Sequence, residues 1–411
     1  MLFNTAIAQE ENGPAILRPE WVFDGTDIHR DWTVVIDGNT ILFAGPSNRM
    51  DEAYDSYPEK QFPGSTLMPG LIEGHSHLLL YPYNERSWND QVLRESPELR
   101  SIRGAKNAEI SLKKGITTMR DLGSEGAGYA DIAIRNAIEN GIIEGPDLIV
   151  AGPALVATGS YGPKGFHPGV NVPLGAEEAD GVEGVKIAVR RQIGNGIDFV
   201  KVYADYRWGP DGSAQPTFSL EELKSIVEAA KSTGRYVVAH ASTEEGIRRA
   251  VLAGVETIEH GDELNEELLQ LMKENDVALC PTLGAVEAIS RYSGYDPATD
   301  NIPERLILKR SSFKKALESG VRIVFGGDVG VFPHGENAWE LELMVDYGMD
   351  EKDALHAATS GNADVFHLSD RGKIANGYRA DLIIVKGDPT RDITLCREPE
   401  AVMKNGRWII E

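Results

Sequence analysis

The middle of the chain alternates between short apolar stretches of β type and longer helical stretches, and this alternation restricts the possible folds more than any other feature. Eight stretches have the apolar, often β-branched character of buried strands. They are TLMPGLIEGHSHLL at 66–79 and residues 117–123, 147–152, 197–204, 235–242, 255–261, 277–283 and 321–328. Alternating strands and helices form parallel sheets. Eight such units in roughly 300 residues predict an α/β fold built on a closed, TIM-like (β/α)8 barrel.

Helical signals fill the intervals between these strands. In the stretch SLEELKSIVEAAKSTG, Ser219 is a helix-capping residue, Glu222 follows three positions later and Gly234 ends the pattern. The stretch TEEGIRRAVLAG at 243–254 predicts another helix between two strands. Both predictions fit the strand–helix rhythm of a barrel.

Both ends of the chain are of β type instead. WTVVIDGNTILFAG contains two strand-like runs joined at Asp37-Gly38-Asn39, and AVMKNGRWII contains a hairpin around Asn405-Gly406. The chain of 411 residues is longer than one core usually supports. A smaller β domain therefore accompanies the predicted barrel.

Net charge and apolar patterning exclude several classes of partner. The formal charge of −23 argues against nucleic acid and against an anionic membrane surface, since both require a basic face. No apolar run approaches the length of a membrane span. The two cysteines, Cys280 and Cys396, cannot build a disulfide framework and are predicted to be free thiols. A small-molecule substrate is the partner we expect.

The first residues leave the compartment open. Ala6-Ile7-Ala8 resembles a signal-peptidase site, but the basic and apolar regions that should precede it are missing. The stretch is either a disordered tail of a cytoplasmic protein or the remainder of an export signal, which would place the protein in the periplasm or outside the cell.

Two histidines end the first predicted barrel strand. His75 and His77 are separated by one residue, and residues two apart on a strand share a face. Both imidazoles can therefore point into the barrel mouth, where the chemistry of such barrels collects. A histidine pair of this kind can also be purely structural.

Four more side chains of reactive type lie at or near the ends of other predicted strands. They are Lys201, His240, His260 and Asp328. Any one of them could be a hydrogen-bonded barrel residue, but six such residues at strand ends predict a single cluster. Imidazole and carboxylate ligands without thiolate are typical of zinc, iron or manganese sites.

Lys201 is chemically unusual in such a cluster. An unpaired ammonium is costly to bury, so one interpretation is a salt bridge with Asp198 or Asp205. The other is reaction of the neutral amine with carbon dioxide, which gives an anionic carbamate able to bridge two metal ions.

The motifs EGHSH, FVKVY, VVAHAS, TIEHG and FGGDVGVFPHGEN together resemble the amidohydrolase superfamily of metal-dependent hydrolases. The similar branch contains imidazolonepropionase-like proteins, Xaa-Pro and Xaa-Arg dipeptidases, and ochratoxin-type amidases. The resemblance covers almost the whole chain. It implies a β-sandwich domain formed by residues 10–66 and 370–411, and a hydrolase barrel formed by residues 67–369. It also implies a homo-oligomer.

The resemblance further implies two divalent cations, with zinc preferred. It assigns His75 and His77 to one cation, His240 and His260 to the other, a carboxylated Lys201 to both, and Asp328 to the first. Such ions lower the pKa of a shared water. Asp328 would accept the proton of that water and deliver it to the leaving nitrogen.

Other residues are predicted to assist the reaction or to contact the substrate. Tyr203 lies on the same strand face as Lys201 and is a candidate stabiliser of the oxyanion, while His334 follows Asp328 in a loop that we expect to reach over the mouth. The loop after the first strand offers an aromatic wall of Tyr81, Tyr83 and Trp88, which could equally be packing.

One loop departs from the pattern of the peptidase branch. Relatives often carry Thr-Gly-Gly-His after the third strand, whereas this chain has ATGSYGPKGFHPG, with Ser160 and Tyr161 at the Gly and His positions. Tyr161 and His167 are therefore candidate substrate-binding residues, with Lys164 as a further alternative. The departure argues against assignment to proline or arginine dipeptides.

The remaining polar residues of note are predicted to be structural. They are Arg120 and Asp121, which end the second strand and are expected to form barrel-mouth structure, and His29, His356 and His367, which lie outside the strand-end pattern.

Three functions are compatible with this sequence. The first is a two-metal amidase or dipeptidase acting on N-acyl amino acids or dipeptides. The second is a cyclic-amide hydrolase of the imidazolonepropionase type, a group in which one metal and no bridging lysine are common, so that Lys201 favours the first. The third is a binding protein that kept the barrel and lost catalysis, which six intact ligand positions disfavour.

Overall fold

The computed structural model describes residues 13–167 and 169–411. The Ala6–Ala8 stretch and the first three residues of the predicted β domain lie outside the described residues.

The strands are numbered in chain order. They are β1 (Ala15–Phe23), β2 (Ile28–Arg30), β3 (Trp32–Asp37), β4 (Thr40–Pro46), β5 (Glu59–Pro69), β6 (Leu71–Ser76), β7 (Ile116–Asp121), β8 (Asp147–Val150), β9 (Leu155–Val156), β10 (Glu177–Glu178), β11 (Val200–Tyr203), β12 (Asp205–Arg207), β13 (Ala214–Pro216), β14 (Val237–Ala241), β15 (Thr257–His260), β16 (Ala278–Cys280), β17 (Leu382–Lys386), β18 (Ala401–Lys404) and β19 (Arg407–Ile410).

The α-helices are numbered in the same way. They are α1 (Trp88–Arg94), α2 (Pro97–Lys113), α3 (Ala130–Glu139), α4 (Gly181–Asn195), α5 (Leu220–Lys231), α6 (Glu244–Ala253), α7 (Glu266–Glu274), α8 (Leu283–Tyr292), α9 (Glu304–Ser319), α10 (Trp339–Asp346), α11 (Glu351–His356) and α12 (Asn362–Val365). Within the described ranges, no helix has the length and apolar content that crossing a bilayer requires.

The two ends of the chain form one β domain. Its strands follow the order β19-β18-β17-β5-β1-β3-β4, with β2 paired to β1. Strand β5 joins the ends, because it pairs in parallel with β1 and antiparallel with β17. The strands of the predicted sandwich are thus hydrogen-bonded into one continuous eight-stranded sheet. The domain has its own apolar core, which includes Leu17, Val34 and Ile384.

The middle of the chain forms the predicted (β/α)8 barrel. Strands β6, β7 and β8 pair in parallel, as do β11, β14, β15 and β16. The eighth predicted strand, at 321–328, closes the barrel through single hydrogen bonds and isolated bridges, without forming a ladder of its own. On the β16 side, the amide of Leu279 donates a hydrogen bond to the carbonyl of Arg322 at 2.8 Å. On the β6 side, the amide of Asp328 donates a hydrogen bond to the carbonyl of His75 at 2.8 Å.

The predicted helix starts are confirmed by their caps. The hydroxyl of Ser219 accepts from the amide of Glu222, whose carboxylate accepts from the amide of Ser219, so α5 begins with a complete capping box. The Thr243 hydroxyl caps α6 by accepting from the amide of Gly246, and Gly254 ends the helix in the left-handed conformation with φ of 91°.

A partly buried charge cluster connects the β domain to the barrel. Asp147, at the start of β8, accepts from Arg371 at 2.5 Å and from Arg379 at 2.7 Å, and it also pairs with Lys404. Burial opposes ionisation of Asp147, but these three cations lower its pKa to about 2. The carboxylate therefore ties the C-terminal strands to the barrel wall.

Candidate active site

A cavity of about 630 Å³ opens at the carboxyl ends of the barrel strands. This volume lies in the range typical of small-molecule sites. Five of the residues singled out from the sequence as metal-binding or catalytic line it: His77, Tyr203, His240, His260 and Asp328. His75 and Lys201 are buried beneath its floor, with 1% of each residue exposed.

His75, His77 and Asp328 meet at the end of β6. The Nε2 atom of His75 lies 3.7 Å from Asp328 Oδ1, and Nε2 of His77 lies 3.5 Å from the same oxygen. One ligand atom from each residue falls within 4.8 Å of the others, so the three could hold one cation. The hydrogen bond from the backbone amide of Asp328 to the carbonyl of His75 sets the register that places the three side chains together.

The second histidine pair lies beside the first. The rings of His240 and His260 are 4.5 Å apart, and the rings of His75 and His260 are 5.2 Å apart. The four imidazoles predicted from strand ends therefore form one contiguous cluster.

Lys201 has neither of the salt bridges considered from the sequence. Asp198 accepts from Arg135 at 2.8 Å, and Asp205 accepts from the backbone amides of Ser242 and Thr243. Across the part of the chain that the structure describes, no acid lies within ion-pair distance of the Lys201 amine. The salt-bridge interpretation is therefore wrong, because both predicted partners are engaged elsewhere.

Burial controls the ionisation of the cluster. It lowers the pKa of Lys201, although the charges of Glu259 and Asp328 oppose that shift. Burial and the neighbouring Lys201 charge lower the pKa of His240 to about 3, and burial lowers the pKa of His75 and His260 well below the usual value. These three imidazoles are neutral near pH 7, the form in which a histidine nitrogen binds a metal.

The carboxylate of Asp328 supplies a direct test of whether the site fits a cation. Its Oδ1 is buried and has no hydrogen-bond partner among residues 13–167 and 169–411, although the Nε2 atoms of His75 and His77 face it. A buried carboxylate oxygen without a donor is costly. Burial accordingly raises the pKa of Asp328. An unsatisfied anion surrounded by imidazoles is the donor set expected of a divalent metal site.

Three hydrogen bonds orient the imidazoles toward this point. The Nδ1 atom of His75 bonds Glu259 at 2.7 Å, Nδ1 of His77 bonds the carbonyl of Gly123 at 3.0 Å, and Nδ1 of His260 bonds the hydroxyl of Thr282 at 2.7 Å. Each leaves Nε2 free for a metal. Sequence reasoning missed Glu259 and Thr282, although Glu259 directly precedes a predicted ligand.

Several of these residues have strained backbones. His260, Thr282 and Asp328 have φ of 77°, 51° and 64°, in the left-handed region that non-glycine residues seldom occupy. Strain of this kind concentrates at functional sites.

A second possible grouping lies deeper, formed by His75, Glu259 and Cys280. Glu259 is already engaged there by the Arg120 guanidinium at 2.9 Å, and the Cys280 thiol donates to the carbonyl of Gly326 at 3.7 Å. These interactions explain why the three residues lie together: Glu259 is held by Arg120 and in turn holds the His75 imidazole in place. Both cysteines are buried and free, as predicted. Arg120 lies inside the barrel, and not at its mouth.

Of the predicted catalytic residues, Tyr203 lines the cavity and His334 does not. The ring of Tyr203 stacks on His240 at 4.6 Å, and burial raises the pKa of its hydroxyl well above the usual value. His334 lies behind the site, with Nε2 3.3 Å from the carbonyl of His77. Its loop turns inward because Val331 and Phe332 are buried in an apolar cluster. His334 therefore does not reach over the mouth as expected.

Two of the three candidate substrate-binding residues line the cavity. Tyr161 and Tyr83 line the cavity, whereas His167 is exposed outside it and accepts from the amide of Gly169 at 3.0 Å. Tyr161 packs against Tyr203 and Tyr206, with each pair of rings 4.8 Å apart. Tyr161, which stands at the position expected for the loop histidine, therefore lies on the cavity wall, and His167 does not.

Glu125 is the main cavity residue that sequence reasoning missed. It is 2% exposed and accepts from the indole of Trp88 and from the hydroxyl of Tyr161, both at 2.7 Å. Its other oxygen lies 3.7 Å from Nδ1 of His77. Of the predicted aromatic wall, Trp88 and Tyr83 line the cavity, and Tyr81 instead donates to Glu95.

The three histidines outside the strand-end pattern are bound elsewhere. His29 bonds Asp24, His356 bonds the carbonyl of Gly25, and His367 bonds Glu256. None of them lines the cavity.

A barrel that gathers neutral histidines and a buried carboxylate at its strand ends defines a class of metal-dependent hydrolase. The chain belongs to the Amidohydrolase family, whose model matches residues 66–409. It is a hydrolase of carbon–nitrogen bonds that acts on small molecules, which removes the non-catalytic alternative.

Similar proteins fall in the branch expected from the motifs. Ochratoxinase from Aspergillus niger is 32% identical over 399 residues, which cover 91% of this chain and 81% of the relative. Imidazolonepropionase from Streptomyces griseus subsp. griseus is 22% identical over 402 residues, covering 92% and 91%. Among solved structures, a Xaa-Pro dipeptidase with methionine bound in its active site has a TM-score of 0.83 at 30% identity, covering 96% of this chain and 99% of that one.

Proposed function

We propose that this protein is a two-metal amidohydrolase that releases an amino acid from N-acyl amino acids or dipeptides. The observation that carries the proposal is the buried Asp328 oxygen, which has no donor in the described chain and faces the Nε2 atoms of His75 and His77. Similarity to an ochratoxinase and to a Xaa-Pro dipeptidase supports amide bonds next to an amino acid.

The metal ligands in this proposal follow the four-histidine cluster. His75, His77 and Asp328 would hold one cation, and His240 and His260 the other. Lys201 would bridge them as a carbamate, since burial lowers its pKa and no acid in the described chain neutralises it. Zinc suits this set of nitrogen and oxygen ligands. Divalent cations here would polarise the substrate carbonyl and lower the pKa of water.

The chain's own groups supply the proton transfers. Asp328 takes a proton from the attacking water and gives it to the amide nitrogen, which cannot leave as an anion. Its raised pKa makes the carboxylate a stronger base than a solvent-exposed aspartate. Tyr203, whose hydroxyl stays protonated, donates a hydrogen bond to the carbonyl oxygen as that oxygen gains charge.

The cavity wall favours an aromatic or apolar acyl group. Trp88, Tyr161 and Tyr206 form a contiguous aromatic surface, with ring separations of 5.2 Å and 4.8 Å. Aromatic surfaces of this kind bind apolar and planar groups by burial and edge contacts. An N-aroyl amino acid would place its ring against this wall.

The test is a panel of N-benzoyl amino acids, dipeptides and imidazolonepropionate, offered to the zinc-loaded protein while release of amino acid or loss of the ring is measured. We expect turnover of the acyl amino acids or dipeptides. Asp328→Asn should keep the fold and lose about a thousandfold or more in kcat, in line with loss of general acid–base catalysis. Turnover confined to imidazolonepropionate, or an unchanged rate for Asp328→Asn, would contradict the proposal.

A further inference from the structure

Two arginines at the cavity mouth have no ionic partner. Arg207 and Arg305 both line the cavity and are both exposed. Neither guanidinium donates a hydrogen bond or forms an ion pair to any residue that the structure describes. The chain carries a net charge of −23, so acids are abundant, and two unpaired arginines at one opening are unexpected.

Arg207 is held in place by its backbone. It ends β12 and pairs with Ala214 across a short hairpin. The amine of Lys164 donates to the Arg207 carbonyl at 3.0 Å, which ties the hairpin to the loop after the third barrel strand. Asp205 anchors the other end of β12 through the amides of Ser242 and Thr243. The backbone is therefore fixed while the guanidinium stays available.

Arg305 approaches the cavity from another element. It lies in the first turn of α9, one turn before Lys309, so both face the same side of the helix. Lys309 donates to the carbonyl of His260 and to Asp262, each at 2.7 Å. That face of α9 is therefore packed against the strand end that carries a candidate metal ligand.

Both arginines share their cavity with the reacting groups. The cavity lining contains Arg207 and Arg305 together with His240, His260 and Asp328. A substrate group between the two arginines would thus lie in the same cavity as the reacting amide.

We propose that Arg207 and Arg305 bind the α-carboxylate of the leaving amino acid and so determine specificity for substrates with a free C-terminal carboxylate. This inference rests on the proposed function. Guanidinium groups match carboxylates in charge and in hydrogen-bond geometry. The aromatic surface of Trp88 and Tyr161 is unsuitable for a carboxylate, because both side chains donate to Glu125, which has no Lys or Arg ion-pair partner in the described chain, and like charges in a cavity repel. Asp262 and Glu263 also line the cavity, but Asp262 is paired with Lys309 and Glu263 accepts from the amide of Glu244. The carboxylate therefore belongs on the arginine side, and the acyl group on the aromatic side.

Three substrates separate the possible positions of the carboxylate. They are an N-benzoyl amino acid, the carboxamide of the same compound, and an N-succinyl amino acid amide whose carboxylate is on the acyl side. With the zinc-loaded protein, we expect efficient hydrolysis of the first substrate only. Raising the ionic strength should raise KM for that substrate, since salt screens the attraction.

Arginine-to-glutamine variants then test the residues. Arg207→Gln and Arg305→Gln should each raise KM for the N-benzoyl amino acid about tenfold, as expected for loss of a charge-assisted hydrogen bond at a partly exposed site. Their kcat and metal content should stay near wild type. Arg190→Gln is the matched control, because Arg190 is exposed on α4 and does not line the cavity.

The outcomes distinguish this inference from the proposed function. No hydrolysis of any acyl amino acid or dipeptide by the wild-type protein would refute the function itself. Equal KM for acid and carboxamide, a preference for the succinyl compound, or variants that behave like Arg190→Gln would refute the carboxylate site and leave the amidase function intact.

Discussion

The buried pair formed by Glu259 and Arg120 offers the sharpest test of how the site is held together. Both side chains are fully buried, and the guanidinium lies 2.9 Å from the carboxylate. The other oxygen of Glu259 lies 2.7 Å from Nδ1 of His75. Glu259→Gln removes the charge while keeping the shape of the side chain, so it leaves Arg120 as a buried cation without a counterion.

The size of the effect follows from these contacts. Removing one partner of a buried ion pair costs about 3–5 kcal/mol, because the remaining charge stays desolvated. Glutamine keeps one accepting oxygen, and Arg120 still donates to the carbonyl of Gly74 at 2.7 Å, so we expect the lower end, about 3 kcal/mol. Metal affinity should also fall about 10- to 100-fold, since His75 loses the carboxylate that orients it.

The assay is urea unfolding of the metal-free protein, with metal affinity measured separately by competition with a chelator. Glu256→Gln is the matched control, because Glu256 lies just before β15 and pairs with the exposed His367. It should cost about 1 kcal/mol or less. In the double variant Arg120→Met/Glu259→Gln, most of the lost stability should return, because an apolar replacement removes the uncompensated charge.

Two results would refute this reasoning. One is a loss of under about 1 kcal/mol in Glu259→Gln, which would show that the pair contributes no more than a surface ion pair. The other is a double variant that is less stable than Glu259→Gln, which would show that Arg120 matters through its packing and not through its charge.

Two further predictions concern the metal centre and the ionisation of a buried acid. Lys201→Ala should retain less metal than wild type by elemental analysis, and added bicarbonate should raise the metal content of wild type but not of the variant; equal metal contents would exclude a bridging carbamate. Burial raises the pKa of Glu340 in the native state from 4.5 to about 8. Between these two pH values the native carboxyl group is protonated and the unfolded one is ionised. The free energy of unfolding therefore falls as the pH rises through this interval. Glu340→Gln should therefore gain stability relative to wild type from pH 5 to pH 8 in urea unfolding, and a constant difference would contradict the raised pKa.

The sequence was most informative where chemistry and secondary structure coincide. His75, His77, His240, His260 and Asp328 could be grouped because each lies at the end of a predicted strand, and the ends of parallel barrel strands meet at one rim. The same argument could not find Glu125 or Thr282, because their partners are distant in sequence and their left-handed backbones leave no local pattern.

The positions of side chains in loops could not be predicted from the sequence, for a related reason. His334 was expected at the mouth because its loop follows Asp328, yet burial of Phe332 turns that loop behind His77. His167 is exposed outside the cavity although Tyr161, in the same loop, lines it. The path of a loop depends on packing against other elements, which periodicity does not encode.

The shared sheet of the β domain has a consequence for how the protein is made. Strand β5 ends at Pro69, and its antiparallel partner β17 begins only at Leu382. On the ribosome, β5 must therefore wait with an open edge until the whole barrel has been translated, and such edges are sites of aggregation. Nascent chains that stall before residue 382 should depend on chaperones more strongly than the finished protein does.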